Sequence, residues 1–192
     1  MSIKHFENSV SNTRGNRKLS VAGVFATEDT GNYTPVAAFP GQLAVRSALY
    51  PSQAYAGMNN PNTWYMVAAG ASTTLAELFV ANPDVAQHAD SANGIYNLGM
   101  ETLGVAQPAG EATRFQKIEE GDLLTWGDGW FASAPTTTNK YCTINASGLW
   151  APDDEVPSTA GTVYLEILET VNFTEGCYAA GAGYYGIIKV AA

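Results

Sequence analysis

Charge is scarce in this 192-residue chain: 14% of residues are Asp, Glu, Lys or Arg, against roughly 25% in an average soluble domain. A surface so poor in charge is expected to be partly covered by another protein. Histidine is scarcer still. His5 and His88 are the only two, and neither has a second imidazole or a cysteine at ligand spacing, so no metal site is expected. Cys142 and Cys177 are the only cysteines. They are too few for a disulfide scaffold and are expected to be buried, reduced thiols. The chain has no run of 18 apolar residues, which leaves no membrane-spanning helix. Its first residues, Met-Ser-Ile-Lys-His-Phe-Glu-Asn, lack the apolar core of a signal peptide, so the Asn-x-Ser/Thr sites at Asn32, Asn145 and Asn172 carry no expectation of a glycan.

Catalytic signatures are missing as well. There is no Gly-x-Ser-x-Gly elbow and no Gly-x-x-x-x-Gly-Lys, which removes the P-loop; Gly-x-Gly-x-x-Gly occurs once, at Gly181-Ala182-Gly183-Tyr184-Tyr185-Gly186, where it runs into the returning strand of the closing hairpin and opens no helix, so it is not a dinucleotide loop. Two acid clusters invite a glycoside-hydrolase reading: Glu119, Glu120 and Asp122, and Asp153-Asp154-Glu155. The first falls in a turn signal and the second in a proline loop, where solvated surface acids are the ordinary outcome. The second cluster also lacks the spaced Asp-x-Asp-x-Asp order of a calcium loop. No catalytic residue and no cofactor is expected.

The charge that is present is unevenly placed. Lys4, Arg14, Arg17 and Lys18 face only Glu7 within the first 18 residues, a net +3, whereas the remaining residues hold five basic and seventeen acidic side chains, a net −12. Residues 1–18 show no apolar period, so they are expected to be an extended or disordered arm whose four cations seek an acidic partner surface. Four positive charges ahead of an acidic body argue against nucleic acid as that partner.

After the arm the apolar pattern has the period of strands. Val163, Leu165, Ile167, Val171 and Phe173 alternate with Tyr164, Glu166, Thr170 and Asn172, which marks a half-buried strand; Tyr184 to Val190 returns as its hairpin partner. Such a hairpin is marginal alone, so the rest of the chain must cover its apolar face. Short strands are expected at 20–25, 34–39, 42–46, 113–118, 123–126, 139–144 and 149–151, separated by closely spaced turns. One short helix is expected from Thr74 or Leu75 to Ala81, because Thr74 and Glu77 have capping-box spacing and Asn82-Pro83 ends the run. The class is therefore all-β, a β-barrel or β-sandwich with one short helix and a long loop-rich insertion. The corresponding layout is an arm over 1–18, a β scaffold over 19–49 and 111–192, and an insertion subdomain over 50–110.

Residues 47–76 contain no charged side chain, yet they hold Tyr50, Tyr55, Met58, Trp64 and Tyr65. Charge depletion with aromatic and methionine enrichment is the composition of a protein-contact core, so these five residues are candidate intersubunit or partner contacts. The competing expectation is that Trp64 to Ala69 is a strand packed within its own domain. A second use of the aromatics is stacking on sugar rings, with Trp130, Trp126 or Trp64 as the platform of a carbohydrate-binding module on a head or tail fibre.

The order of these segments resembles that of bacteriophage head decoration (cement) proteins and related small virion structural proteins. The resemblance is carried by the basic arm to Lys18, the series Val21-Ala22-Gly23-Val24-Phe25 through Gly41-Gln42-Leu43-Ala44-Val45, then Glu120-Gly121-Asp122-Leu123-Leu124, Gly148-Leu149-Trp150-Ala151-Pro152 and the closing hairpin. It covers both ends of the chain and omits residues 50–110. It implies a β-rich homo-oligomer, with a trimer favoured, on the outside of an icosahedral shell. There it would bind the major capsid protein after assembly in the host cytoplasm, with the arm reaching along neighbouring subunits.

Overall fold

A computed structural model describes residues 6–10, 19–51, 63–82, 106–173 and 181–192, with the backbone alone at 6–10, 172–173 and 181. Twelve strands are present among the described residues: β1 Phe6–Val10, β2 Ser20–Asp29, β3 Asn32–Pro35, β4 Leu43–Leu49, β5 Thr63–Ala68, β6 Leu78–Ala81, β7 Thr113–Lys117, β8 Leu123–Gly127, β9 Tyr141–Ile144, β10 Trp150–Asp153, β11 Val163–Phe173 and β12 Gly181–Val190. They form two sheets. In one the order is β3-β2-β5-β4-β6-β7, and a further pairing of β7 with β2 closes β2, β5, β4, β6 and β7 into a five-stranded barrel. The other has the order β1-β8-β12-β11-β9-β10.

The expected hairpin is the centre of the open sheet: β11 and β12 pair antiparallel from Val163↔Val190 to Phe173↔Gly181. Alternation continues from Val163 to Ile167, then a bulge between Ile167 and Glu169 shifts the register. Leu168, at that bulge, is left 52% exposed, since the extra residue of a bulge breaks the two-residue period.

Alternation along the barrel strands sends side chains into two cores. Phe25, Ala44, Met66, Phe79, Ala81 and Phe115 form the barrel's interior cluster. Their sequence neighbours Leu43, Leu78 and Val80 join Leu124, Trp126, Trp150, Leu165 and Ile188 in a larger cluster between the barrel wall and the open sheet. Trp126 and Trp130 lie in that layer, and their indole N–H groups donate to the carbonyls of Gly41 and Pro40 at 2.9 and 2.8 Å. At the other side of the barrel a two-residue loop joins β2 to β3. Thr30 and Gly31 both have positive φ, 51° and 81°, which matches the strand twist as a type I′ turn does.

Three expectations are revised by this architecture. The run expected to be helical over Thr74–Ala81 is a single turn followed by β6. Glu77 does accept from Thr74, at 3.3 Å from the backbone N–H and 2.8 Å from Oγ1, but Leu78–Ala81 is then drawn into pairing with both β4 and β7. All four of its residues are buried, a gain that local helix propensity does not match. The only helical piece among the described residues is a 3-10 turn at Asp128–Trp130. Second, Thr63–Ala68 and Leu78–Ala81 fall within the stretch expected to be an insertion, yet β5 lies between β2 and β4 and β6 between β4 and β7. They are barrel staves. Third, Phe6–Val10 of the expected arm is the edge strand of the open sheet, with Phe6 opposite Trp126 and Val10 opposite Leu123.

Gly23 shows how tightly the barrel is filled. A Cβ there would stand 2.3 Å from Met66 Cγ and 2.9 Å from a Phe115 ring carbon. Gly23→Ala is therefore expected to cost about 1–3 kcal/mol by overpacking, and Met66→Ala about 2–5 kcal/mol by leaving a cavity. In urea unfolding, the double variant should lose clearly less than the two single losses combined; strict additivity would show that the two sites do not share space.

Candidate partner-contact surface

β5 opens the barrel at Thr63, and one end of the barrel is built around that point. Gly23 pairs with Trp64 and Phe25 with Met66 in parallel register, while Arg46 faces Met66 and Leu49 faces Trp64 from the antiparallel side. The Tyr50 N–H donates to the Thr63 carbonyl at 2.9 Å, which carries the chain over the rim. These pairings gather side chains that are distant in sequence. The rings of Tyr33 and Tyr65 stack at 4.4 Å between centroids with an 11° interplanar angle, and Tyr50 meets Tyr65 edge-on at 5.0 Å. Tyr33 is held by a 2.8 Å hydrogen bond between its hydroxyl and Ser47 Oγ. The three tyrosines are half-buried. On the other face of β5, Leu49 stands opposite Trp64 and is 53% exposed, and the Arg46 guanidinium lies 4.5 Å from the centre of the Trp64 ring.

Burial raises the Tyr65 pKa, desolvation first and then the neighbouring phenols of Tyr50 and Tyr33, so the Tyr65 phenol stays uncharged through neutral pH. Lys117 occupies the same end, over the Phe79 ring and donating to the Ala76 carbonyl. Burial lowers its pKa, while Glu119 and Glu77 work in the opposite direction. Among the described residues Arg46 forms no ion pair. The result is a stacked-tyrosine surface on the outer side of β5, with Arg46, Trp64 and Leu49 on the inner side. Rigid aromatic area with little charge is what a protein-contact surface requires.

Of the five contact residues expected from sequence, the structure brings Tyr50 and Tyr65 together and turns Trp64 to the other face of β5; Tyr55 and Met58 lie outside the described residues. Trp64 is half-buried, packing on the barrel interior with one face against Arg46, so the competing expectation of a packed strand also holds for part of this segment. The arm cations Lys4, Arg14, Arg17 and Lys18 lie outside the described residues, as does Cys177. Cys142 is free and fully buried, and burial pushes its thiol up to about 12. Sequence reasoning missed Tyr33, Ser47, Arg46 and Leu49.

Nothing matches the chain among protein-family models, curated proteins or solved structures.

Two of the three tryptophans singled out for sugar stacking, Trp126 and Trp130, are unsuited to it. Trp126 is 0% and Trp130 3% exposed, because both indoles are drawn into the layer between barrel and sheet by their carbonyl acceptors. The two acid clusters are engaged locally. Asp122 is fully buried and accepts the Glu119 N–H at 2.9 Å, and Asp153 accepts from the Asp154 and Glu155 N–H groups at 2.8 and 3.4 Å. No group of three or more potential metal ligands occurs among the described residues, and none of their helices is long and apolar enough to cross a membrane.

The outer face of the open sheet carries a different feature. Glu166 binds Lys189 at 2.6 Å and Lys140 at 3.1 Å. Those ammonium groups, Lys189 foremost, hold its carboxyl below the usual range against the opposing effect of partial burial. A folded-state pKa below the unfolded value, about 4.3 for Glu, gives stability that is present above that value and lost as pH falls through the folded one. Glu166→Gln should cost little at pH 7, since both lysines are substantially exposed. It should also flatten the decline of melting temperature between about pH 5 and pH 3; an unchanged acid limb would show that the triad does not couple to folding.

Proposed function

We propose that this chain is a non-enzymatic virion structural protein that binds the outside of a phage capsid and stabilises it. The observation that carries the proposal is the half-buried stack of Tyr33, Tyr50 and Tyr65 on the outer side of a closed barrel. Closure spends the hydrogen bonds of β2, β5, β4, β6 and β7 on one another, so a partner at those strands is held through side chains. The resemblance to head decoration proteins supplies the kind of partner, a major capsid protein, and the place, the virion exterior. The low charge content supports extensive coverage by other protein.

Cementing in this reading is binding alone. Each copy makes modest contacts with the shell and with its neighbours, and symmetry repeats them, so the assembled shell is stabilised by mass action. The arm cations supply attraction to an acidic shell surface, which speeds attachment and makes it salt-dependent. The homo-oligomer, with a trimer favoured, belongs to the same proposal.

The test uses heads that lack the protein, titrated with the purified full chain. Occupancy is measured by co-sedimentation and shell stability by calorimetry. Saturable binding and a raised shell melting temperature are expected. Replacing Lys4, Arg14, Arg17 and Lys18 together by Gln should reduce affinity about tenfold or more at low salt while leaving the chain's own melting temperature unchanged. Absence of binding by the unaltered chain, or indifference to the four replacements, would contradict the proposal.

A further inference from the structure

The open sheet keeps a free stretch of strand edge. β11 spans eleven residues, Val163–Phe173, and apart from its bulge it is paired with β12 throughout. On the other side β9 pairs only with residues 164–166, and the last bond there runs from the Ile167 N–H to the Lys140 carbonyl at 2.9 Å. Among the described residues no strand lies against residues 168–173 on that side. Alternation identifies the groups this leaves over, because ladder bonds in an antiparallel strand turn to one side and the other at alternate residues. In β12 the Ile188 N–H donates to the Asp122 carbonyl at 2.9 Å, toward β8. Gly183 and Tyr185, an odd number of residues away, therefore turn toward β11, opposite Val171 and Glu169. The backbone N–H and C=O groups of Thr170 and Asn172 then point the other way, out of the sheet edge.

A cleft of 470 Å³ lies along this edge, between residues 167–170 and the loop of Pro135, Thr136 and Thr137. The loop closes on itself: the Thr136 N–H donates to Asn139 Oδ1 at 2.6 Å, and the Asn139 N–H donates to Thr136 Oγ1 at 3.2 Å. Leu168 lines the cleft and is 52% exposed. Glu169 beside it is exposed and forms no ion pair among the described residues. Lys140, in the same cleft, is held by Glu166 at 3.1 Å, which leaves Glu169 as the cleft's unanswered charge.

We propose that this edge takes an extended segment of a partner protein, which adds a strand beside residues 168–173 and sets a lysine or arginine against Glu169. Donors and acceptors left over at strand spacing are a template for another strand and for little else. The loop on the far side of the cleft admits a single segment and excludes the edge of a second sheet. An apolar side chain of the segment covers Leu168. A basic one answers Glu169, on a body whose residues 19–192 carry seventeen acidic side chains against five basic ones. Backbone bonds hold such a segment and its side chains select it. This contact is separate from the tyrosine stack, and it does not depend on a shell.

The experiment is amide hydrogen exchange of the full chain by NMR, free and with short peptides that alternate valine and threonine and carry one lysine at each position in turn. In the free chain the Thr170 and Asn172 amides are expected to exchange about tenfold or more faster than those of Glu169 and Val171, which bond to β12. Saturating peptide should slow Thr170 and Asn172 about threefold or more. N-methylation of the peptide amides that face β11 should abolish the effect. Thr170→Pro removes an outward N–H without touching the β12 ladder, and should weaken binding about fivefold or more. Glu169→Lys should move the preference from lysine peptides to glutamate ones, and it keeps the test open where the proline variant lowers the melting temperature. Thr170 and Asn172 amides already protected in the free chain overturn the proposal. So does a panel in which no peptide slows them, or in which N-methylated peptides act equally well. A peptide of residues 1–18 is run alongside; slowing by that peptide alone overturns the assignment to a partner protein and gives the edge to a second copy of this chain.

Discussion

Two buried indoles tie the molecule together. Trp126 and Trp130 come from the end of β8 and the 3-10 turn after it, and each donates its N–H to a carbonyl of the turn Pro40-Gly41 that leads into β4. Gly41 can hold that turn because its φ of 85° lies in the left-handed region. The bonds cross from the open sheet to the barrel, and both rings sit in a layer closed to water. An acceptor left unpaired in such a layer costs about 1–3 kcal/mol, so each indole fixes position as well as filling space. Around them Trp150 packs edge-on to Trp126 at 5.4 Å, and Phe131 edge-on to Tyr184 at 4.7 Å.

This clamp decides which part of the barrel remains outside. β4 and β6 turn Leu43, Leu78 and Val80 toward the open sheet. The tyrosines carried by β3, β5 and the end of β4 are left uncovered by it. Barrel closure through β2 and β7 removes the free strand edges that would otherwise recruit a partner, leaving side-chain contact as the barrel's mode of recognition. The proposed role follows from that sequence of constraints: the apolar residues used for folding lie inside two cores, and the residual stacked tyrosines are a surface whose chemistry suits binding.

What was legible in the chain is what local spacing encodes. The alternation at Val163 to Ile167 marked β11, and the turns at Asn145 and Gly148 and at Glu119 to Asp122 are present with the side-chain hydrogen bonds their residue types favour. The β class and the barrel alternative followed from that punctuation. Pairing between distant strands was not legible. β5 runs parallel to β2 from forty residues away, and nothing in Trp64 to Ala68 names that neighbour, so the segment read equally well as an insertion. Thr74 to Glu77 carried a genuine helix-start signal, which tertiary burial of Leu78 to Ala81 overrode. The contact surface was half visible: lack of charge pointed to Tyr50 and Tyr65, but Tyr33 joined them only through the fold, and Trp64 turned to the other face with Arg46. Trp130 misled as a stacking platform because a glycine-rich turn suggests exposure, while its acceptor at Pro40 lies ninety residues away.

The central claim is that barrel and open sheet form one cooperative body, clamped at Trp126 and Trp130, on which the tyrosine end is a fixed surface. Differential scanning calorimetry of the purified chain tests it most directly. The account predicts a single transition whose calorimetric and van't Hoff enthalpies agree. Two resolved transitions, one for the barrel and one for the sheet, would contradict it.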